Sequence, residues 1–271
     1  MRELTAEQLK QLIAGHRENA FLIVDVRQAA EYRLDHIPGA VNIPLGEVEF
    51  DPFVFDEKRK VIFYCRNGCR SKVAAVIAAD TGLEKENIFH LRGGINAYTG
   101  EILLDIPRVD HFHSGMRLVE VMERAINFEK GAFLFYGRAK QIFKGTPLYE
   151  TMVSMSQAEV GHAKMIFKRL DVLEPSGLSF EDVFDICPGD ILEGGKPIGE
   201  IKKFLDAVSP ENRVDIIEFA IELEFCAYDL YKVMGEKLKD AALKNMFLTL
   251  AEAEKNHLSK LINSLELVYP A

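Results

Sequence analysis

The chain has 271 residues, 48% hydrophobic and 28% charged, with a formal net charge of −9, an ordinary globular composition at a length that favours two compact cores. No basic face is available to neutralise phosphates, which sets nucleic acid aside, and no apolar run approaches the roughly 18 residues that span a bilayer. The N-terminus lacks an apolar leader region, and four unevenly spaced cysteines (Cys65, Cys69, Cys187, Cys226) suit a reducing compartment, so the chain reads as soluble and cytoplasmic.

In chain order, Thr5-x-x-Gln8 reads as a capping box opening a helix toward Ala14-Gly15. Apolar runs follow at Phe21 to Val26, Val61 to Cys65 and Asn87 to Leu91, with an Ala-rich helical stretch from Ser71 to Asp80 between the last two. Strand, helix and strand in that order predict a parallel α/β sheet in residues 1–105. After Ile106-Pro107 the pattern changes to long helices, expected near 114–142, 147–171, 211–236 and 239–267. Between the second and third of these, the stretch from Asp171 to Asn212 fits the single crossover of a four-helix bundle, with short helical pieces inside it. The bundle is assigned to residues 112–268.

The loop Cys65-Arg66-Asn67-Gly68-Cys69-Arg70 leaves an apolar strand and enters a helix near Ser71. Free N–H groups at the helix start stabilise an anion, Arg70 adds a cation, and Gly68 permits the tight turn, so a thiolate at Cys65 is favoured below the usual thiol pKa of about 8.5. The alternative for an isolated intracellular cysteine is an inert buried thiol. Residues 3–101 resemble the rhodanese family through Leu22-Ile23-Val24-Asp25-Val26-Arg27, His36-Ile37-Pro38-Gly39-Ala40-x-Asn42-Ile43-Pro44, the loop itself and Leu91-x-Gly93-Gly94. That resemblance implies that Cys65 carries a persulfide between a sulfur donor, such as thiosulfate, and a thiol acceptor, with Arg70 catalytic and Arg66, Asn67, Gly68, Cys69 and Ser71 forming the substrate loop. Arg66 is expected to steer an anionic donor. Asp25, Arg27 and Glu31 read equally as support for the loop or as a surface ion-pair network. Cys69 reads equally as a resolving thiol or a tolerated substitution.

In the helical half, Ala125-Ile126-x-x-Glu129-x-x-Ala132 recurs as Ala220-Ile221-x-x-Glu224-x-x-Ala227, and Glu159-x-x-His162 recurs as Glu254-x-x-His257. The offset is 95 residues in both cases (224 − 129 and 254 − 159). One Glu from each of two helices and one Glu-x-x-His from each of the other two is the ligand set of a dinuclear site in a bundle. Four glutamates and two divalent ions balance in charge, and oxygen-plus-imidazole ligation favours iron or manganese over zinc. Iron is the first choice. A solvated helix face is the alternative, opposed by the small and apolar residues one turn away, such as Ala132, Ala227 and Met155. Glu222 and Glu252 fall off this stripe and are expected in solvent, as are His111 and His113. Cys226 is expected as a small core residue. Tyr136 and Tyr231, seven residues past Glu129 and Glu224, read as core aromatics whose hydroxyls find a partner, ahead of a redox role.

These residues resemble the ferritin-like di-iron family, and the duplication is similar to that of rubrerythrins. The resemblance implies two iron ions, bridged by Glu159 and Glu254 and capped by Glu129 with His162 and Glu224 with His257. Two departures stand out. Rubrerythrins usually carry a further glutamate near the third-helix ligand, where this chain has Ile221 and Ala227, and a rubredoxin-type centre for which it lacks cysteines. The combined expectation is a sulfurtransferase joined to a di-iron centre that reduces peroxide or oxygen with electrons from an unidentified donor, in a homodimer. The rivals are a ferroxidase with an accessory sulfurtransferase and a non-catalytic sulfur or redox sensor.

Overall fold

The computed structural model describes residues 2–48, 58–80, 83–104, 116–192, 195–208 and 213–268. Contacts divide the chain into one unit of Met1–Pro107 with Tyr228–Glu252 and another of Arg108–Ala227 with Ala253–Ala271. Tyr228–Glu252, which the periodicity assigned to the bundle alone, therefore packs in the first unit.

The first unit holds a parallel sheet of β1 (Arg2–Leu4), β2 (Phe21–Asp25), β3 (Ala40–Asn42), β4 (Lys60–Tyr64) and β5 (Ile88–Leu91) in the order β1-β5-β4-β2-β3. Around it lie α1 (Ala6–Gly15), α2 (Ala29–Leu34) and α3 (Cys69–Asp80). Both faces are covered, which is why β2 and β4 read as unbroken apolar runs rather than alternating ones. Leu22, Val24 and Phe63 pack with Ala74, Ala75 and Ala78 of α3. Phe21, Ile23, Ile62 and Tyr64 pack with Leu9 and Leu12 of α1 on the other side. The Thr5 capping box forms, with the Gln8 N–H donating to Thr5 Oγ1 at 3.2 Å and the Thr5 N–H to Gln8 Oε1 at 2.9 Å. The three-residue strands β1 and β3 carry too little apolar pattern to be read from sequence.

The second region is helical: α4 (Leu118–Ile142), α5 (Leu148–Leu173), α6 (Phe180–Ile186), α7 (Ile198–Ala207), α8 (Arg213–Lys237) and α9 (Ala241–Val268). The long helices match the predicted segments to within four residues at each end, and α6 and α7 are the short pieces of the crossover. In the second unit Phe135, Ala139, Met152, Met155, Ile216, Ile217, Ala220 and Leu261 form a continuous apolar cluster. Among the described residues no helix is long and apolar enough to cross a membrane. His111 and His113 lie outside the described residues.

Candidate active site and metal centre

In the first unit β4 delivers Cys65 to the sheet's carboxyl edge, and the chain turns through the loop into α3. Cys65 is buried, and the Gly68 N–H donates to its Sγ at 3.1 Å, with Ser71 Oγ 3.7 Å away. Burial alone pushes the thiol up. The backbone and hydroxyl of Ser71 and the N–H groups of Asn67 and Gly68 outweigh it and lower the pKa below the ordinary thiol value. The loop is braced internally, since Asn67 Oδ1 accepts from the Cys69 N–H at 3.2 Å and the Ser71 hydroxyl donates to Gly68 O at 3.1 Å.

The Gly93-Gly94 pair lies directly beneath this loop. The Ile95 and Asn96 N–H groups donate to Cys65 O and Arg66 O at 2.8 and 3.1 Å. Gly94 has φ +61°, and a Cβ there would stand 2.1 Å from Cys65 O. We therefore expect Gly94→Ala to destabilise the fold by roughly 3 kcal/mol through backbone strain and clash. Thermal unfolding beside Gly15→Ala, whose Cβ meets nothing within 4 Å, measures this, and equal melting temperatures would sink it.

Arg70 is paired as well as placed beside the thiol. Its guanidinium is held bidentately by Glu31 at 2.7 Å to each carboxylate oxygen, and this pairing brings Glu31 down to about 2. The thiol's lowering comes from backbone and hydroxyl groups, with Arg70 a neighbouring charge fixed by Glu31. Asp25 and Arg27 are not a surface network. Asp25 is 0% and Arg27 4% exposed, and Asp25 Oδ2 accepts from the Arg27 fork at 2.7 and 2.9 Å. Arg66 and Cys69 are exposed at the rim.

In the second unit the six predicted residues converge. Glu129 comes from α4, Glu159 and His162 from α5, Glu224 from α8, and Glu254 and His257 from α9. None is more than 7% exposed, which disposes of a solvated face. Their ligand atoms form two overlapping groups, Glu129, Glu159, His162 and Glu254, and Glu159, Glu224, Glu254 and His257, each within 4.8 Å. Glu159 and Glu254 belong to both. His162 Nδ1 lies 3.2, 3.1 and 3.2 Å from Glu129, Glu159 and Glu254, and His257 Nδ1 lies 3.6, 3.1 and 2.9 Å from Glu159, Glu224 and Glu254. The imidazoles stack with centroids 5.1 Å apart.

This is an expensive way to bury charge. Burial drives Glu159 well above the carboxylate range and Glu224 to about 7, whereas His162 and His257 hold Glu254 down despite its burial. Burial opposes a charged His257, but Glu224 and Glu254 outweigh it and raise the ring to about 11. Protons here do the balancing that cations can do. Glu159 Oε1 is buried with no hydrogen-bond partner, 3.6 Å from His257 Nδ1 within the cluster. The donor set and that oxygen fit a pair of divalent metal ions.

Tyr136 is fully buried, and its hydroxyl donates to Glu224 Oε1. Seven residues carry it too far along α4 to reach its own helix's ligand, and it meets the α8 glutamate instead, 88 residues away in sequence. No local pattern announces that contact. Tyr231 is buried beside Phe247. Glu222 pairs with Lys196 in solvent, but Glu252 accepts from the Glu18 N–H at 3.1 Å, correcting its expected solvation. Cys226 is half-buried in α8, and burial raises the Cys187 thiol.

The description "Rhodanese-like domain" matches residues 5–101, and "Rubrerythrin" matches residues 215–270. The thiosulfate:glutathione sulfurtransferase of Saccharomyces cerevisiae is 30% identical over 96 residues, 31% of this chain and 68% of its own. A sulfurtransferase of Allochromatium vinosum is 32% identical over 35% of this chain and 86% of its own. A Bacillus subtilis relative is 34% identical over 99 residues, where the chain spans 51% of that protein's length. A crystal structure of a rhodanese-related protein from Thermoplasma volcanium is 26% identical, with 39% of this chain and 100% of that one covered at a TM-score of 0.34.

Proposed function

Because the chain belongs to the rhodanese-like proteins through residues 5–101 and carries a rubrerythrin domain over residues 215–270, we propose that it joins sulfane-sulfur transfer at Cys65 to a di-iron oxidoreductase centre. The functional segments are residues 1–105 and 112–268.

The cradled thiol carries the first half. The Cys65 thiolate attacks the outer sulfur of thiosulfate, the thiosulfate S–S bond breaks, and sulfite leaves with the electron pair. An acceptor thiolate, for which glutathione is a model, then takes the terminal sulfur of the Cys65 persulfide and returns the Cys65 thiolate. The Gly68 N–H, with the backbone N–H groups of Asn67 and Ser71, holds the sulfur anion before and after each transfer, and Arg66 attracts the anionic donor.

The sharing of Glu159 and Glu254 between two buried groups carries the second half. Glu129 with His162, Glu224 with His257 and the shared Glu159 and Glu254 would hold two iron ions, with manganese the alternative, and the bound pair, re-reduced by an external donor, would supply electrons to peroxide or oxygen. Around them Tyr136 keeps a proton hydrogen-bonded at Glu224 Oε1, and the buried helix faces exclude water. Ile221 and Ala227, apolar where a further carboxylate would stand, favour a second reading as a ferroxidase.

Mixing the ferrous protein with equimolar peroxide or oxygen in single turnovers separates these. Faster oxidation by peroxide supports the peroxidase, and equal or faster oxidation by oxygen replaces it with the ferroxidase.

A further inference from the structure

One motif of the sulfurtransferase half is not used by the chemistry above: the turn His36-Ile37-Pro38-Gly39. It is gripped from two sides within the first unit. On one side Asp229 of α8 takes both ends. The Gly39 N–H donates to Asp229 Oδ1 at 2.5 Å, and His36 Nε2 lies 3.2 Å from Asp229 Oδ2, with His36 and Asp229 both fully buried. On the other side the Ile37 N–H donates to Tyr64 Oη at 3.2 Å. Tyr64 is fully buried and immediately precedes Cys65. Tyr32 stacks on His36 at 4.2 Å, and its hydroxyl donates to Ala40 O at 2.7 Å, which leaves the turn little freedom.

A second buried group holds the same stretch of α8 in place. Lys232, with no exposed side-chain surface, lies 3.2 Å from the carboxylates of both Glu18 and Glu236 and donates to Phe21 O at 3.2 Å. Arg59 reaches Glu236 at 2.7 Å and Phe21 O at 2.5 Å. Buried charges of this kind persist only when paired and hydrogen-bonded. Glu18 and Glu236 close here on Lys232 and Arg59, with Lys244 also 3.2 Å from Glu236, and the carbonyls of Glu18 and Phe21 take further donors.

We propose that Asp229 is a positioning residue for the Cys65 site: through the His36–Gly39 turn and Tyr64 it sets where the end of β4 presents the thiolate, with Lys232 clamping α8 so that Asp229 stays in register. This rests on the sulfur-transfer reading of Cys65. Small displacements of a nucleophile relative to its N–H cradle weaken thiolate stabilisation and the transfer step more than donor binding.

Full-length Asp229→Ala and Asp229→Asn test this with two readouts. One is the pH dependence of Cys65 alkylation by iodoacetamide, followed on the Cys65 peptide. The other is thiosulfate-dependent sulfur transfer to glutathione. Asp229→Ala is expected to move the alkylation midpoint to higher pH and to lower kcat about tenfold, with KM for thiosulfate within about twofold. Asp229→Asn keeps an acceptor for the Gly39 N–H and is expected to recover most of both. A wild-type alkylation profile and kcat in a folded Asp229→Ala protein overturns the proposal, as does an Asn variant as impaired as Ala. Should the Ala variant not fold, Tyr64→Phe, which removes the acceptor of the Ile37 N–H, is expected to move both readouts in the same direction, and a wild-type alkylation profile and kcat there overturns the coupling. If wild type transfers no sulfur, the reading of Cys65 fails, and the alkylation profile still judges Asp229.

Discussion

Glu159→Ala is expected to empty the metal centre of both ions, whereas Glu129→Ala empties one position. The difference follows from geometry. Glu159 supplies a ligand atom to each of the two buried groups, and Glu129 to one. Removing a shared carboxylate leaves each histidine facing a reduced set of anions, and it deletes Glu159 Oε1, the buried acceptor with no hydrogen bond of its own. Metal analysis of protein purified without oxygen measures this. About two ions per chain in wild type, about one in Glu129→Ala and Glu224→Ala and near none in Glu159→Ala and Glu254→Ala is the expected series. Equal stoichiometry in Glu159→Ala and Glu129→Ala would remove the shared-ligand assignment. Metal-free, the site stores its balance in protons on the histidines and raised glutamates, so Glu159→Ala also relieves a buried acid. Its unfolding temperature in the presence of chelator is therefore expected to hold or rise, a direction opposite to that of an ordinary core truncation.

Cys65→Ala is expected to abolish thiosulfate-dependent sulfur transfer while leaving metal content at the wild-type level. The other three cysteines do not substitute. Cys69 is exposed, Cys187 has a thiol raised by burial, and Cys226 lies within α8. The pH dependence carries the sign of the thiol shift. Because the reactive form is the thiolate and the Cys65 pKa is lowered, the acid limb of kcat/KM for thiosulfate is expected at lower pH than that of an ordinary thiol. A profile whose acid limb sits at or above the free-thiol value would contradict the cradle. Retained transfer in Cys65→Ala would make the rhodanese-like segment a binding or sensing module.

Much of this was legible because two kinds of pattern survive in one dimension. The Glu-x-x-His spacing repeats at a fixed offset, and helical periodicity places its residues on one face, so the ligand cluster could be named before any coordinate. The sheet was legible because strands buried on both faces become continuous apolar runs, as in Phe21 to Asp25. What escaped were partnerships between distant residues with no shared pattern. Asp229 and Lys232 look like solvent-facing interruptions of an apolar helix, yet they meet His36 and Glu18 across 193 and 214 residues of sequence. Glu31 could be read from sequence as support for the loop, but not as the group that takes the Arg70 fork, because α2 brings that carboxylate across from a separate element.

The docking of Tyr228–Glu252 into the first unit also bears on the order in which the protein matures at the ribosome. Glu18, Phe21 and Arg59 emerge early, but the groups that neutralise or cap them lie on α8, with Arg59 waiting 177 residues for Glu236. Contacts of such long sequence separation form late. The sheet can assemble first, but its buried acid and base partners stay hydrated until the last fifth of the chain has been made. The first unit therefore completes its buried acid–base cluster only once Tyr228–Glu252 has been made.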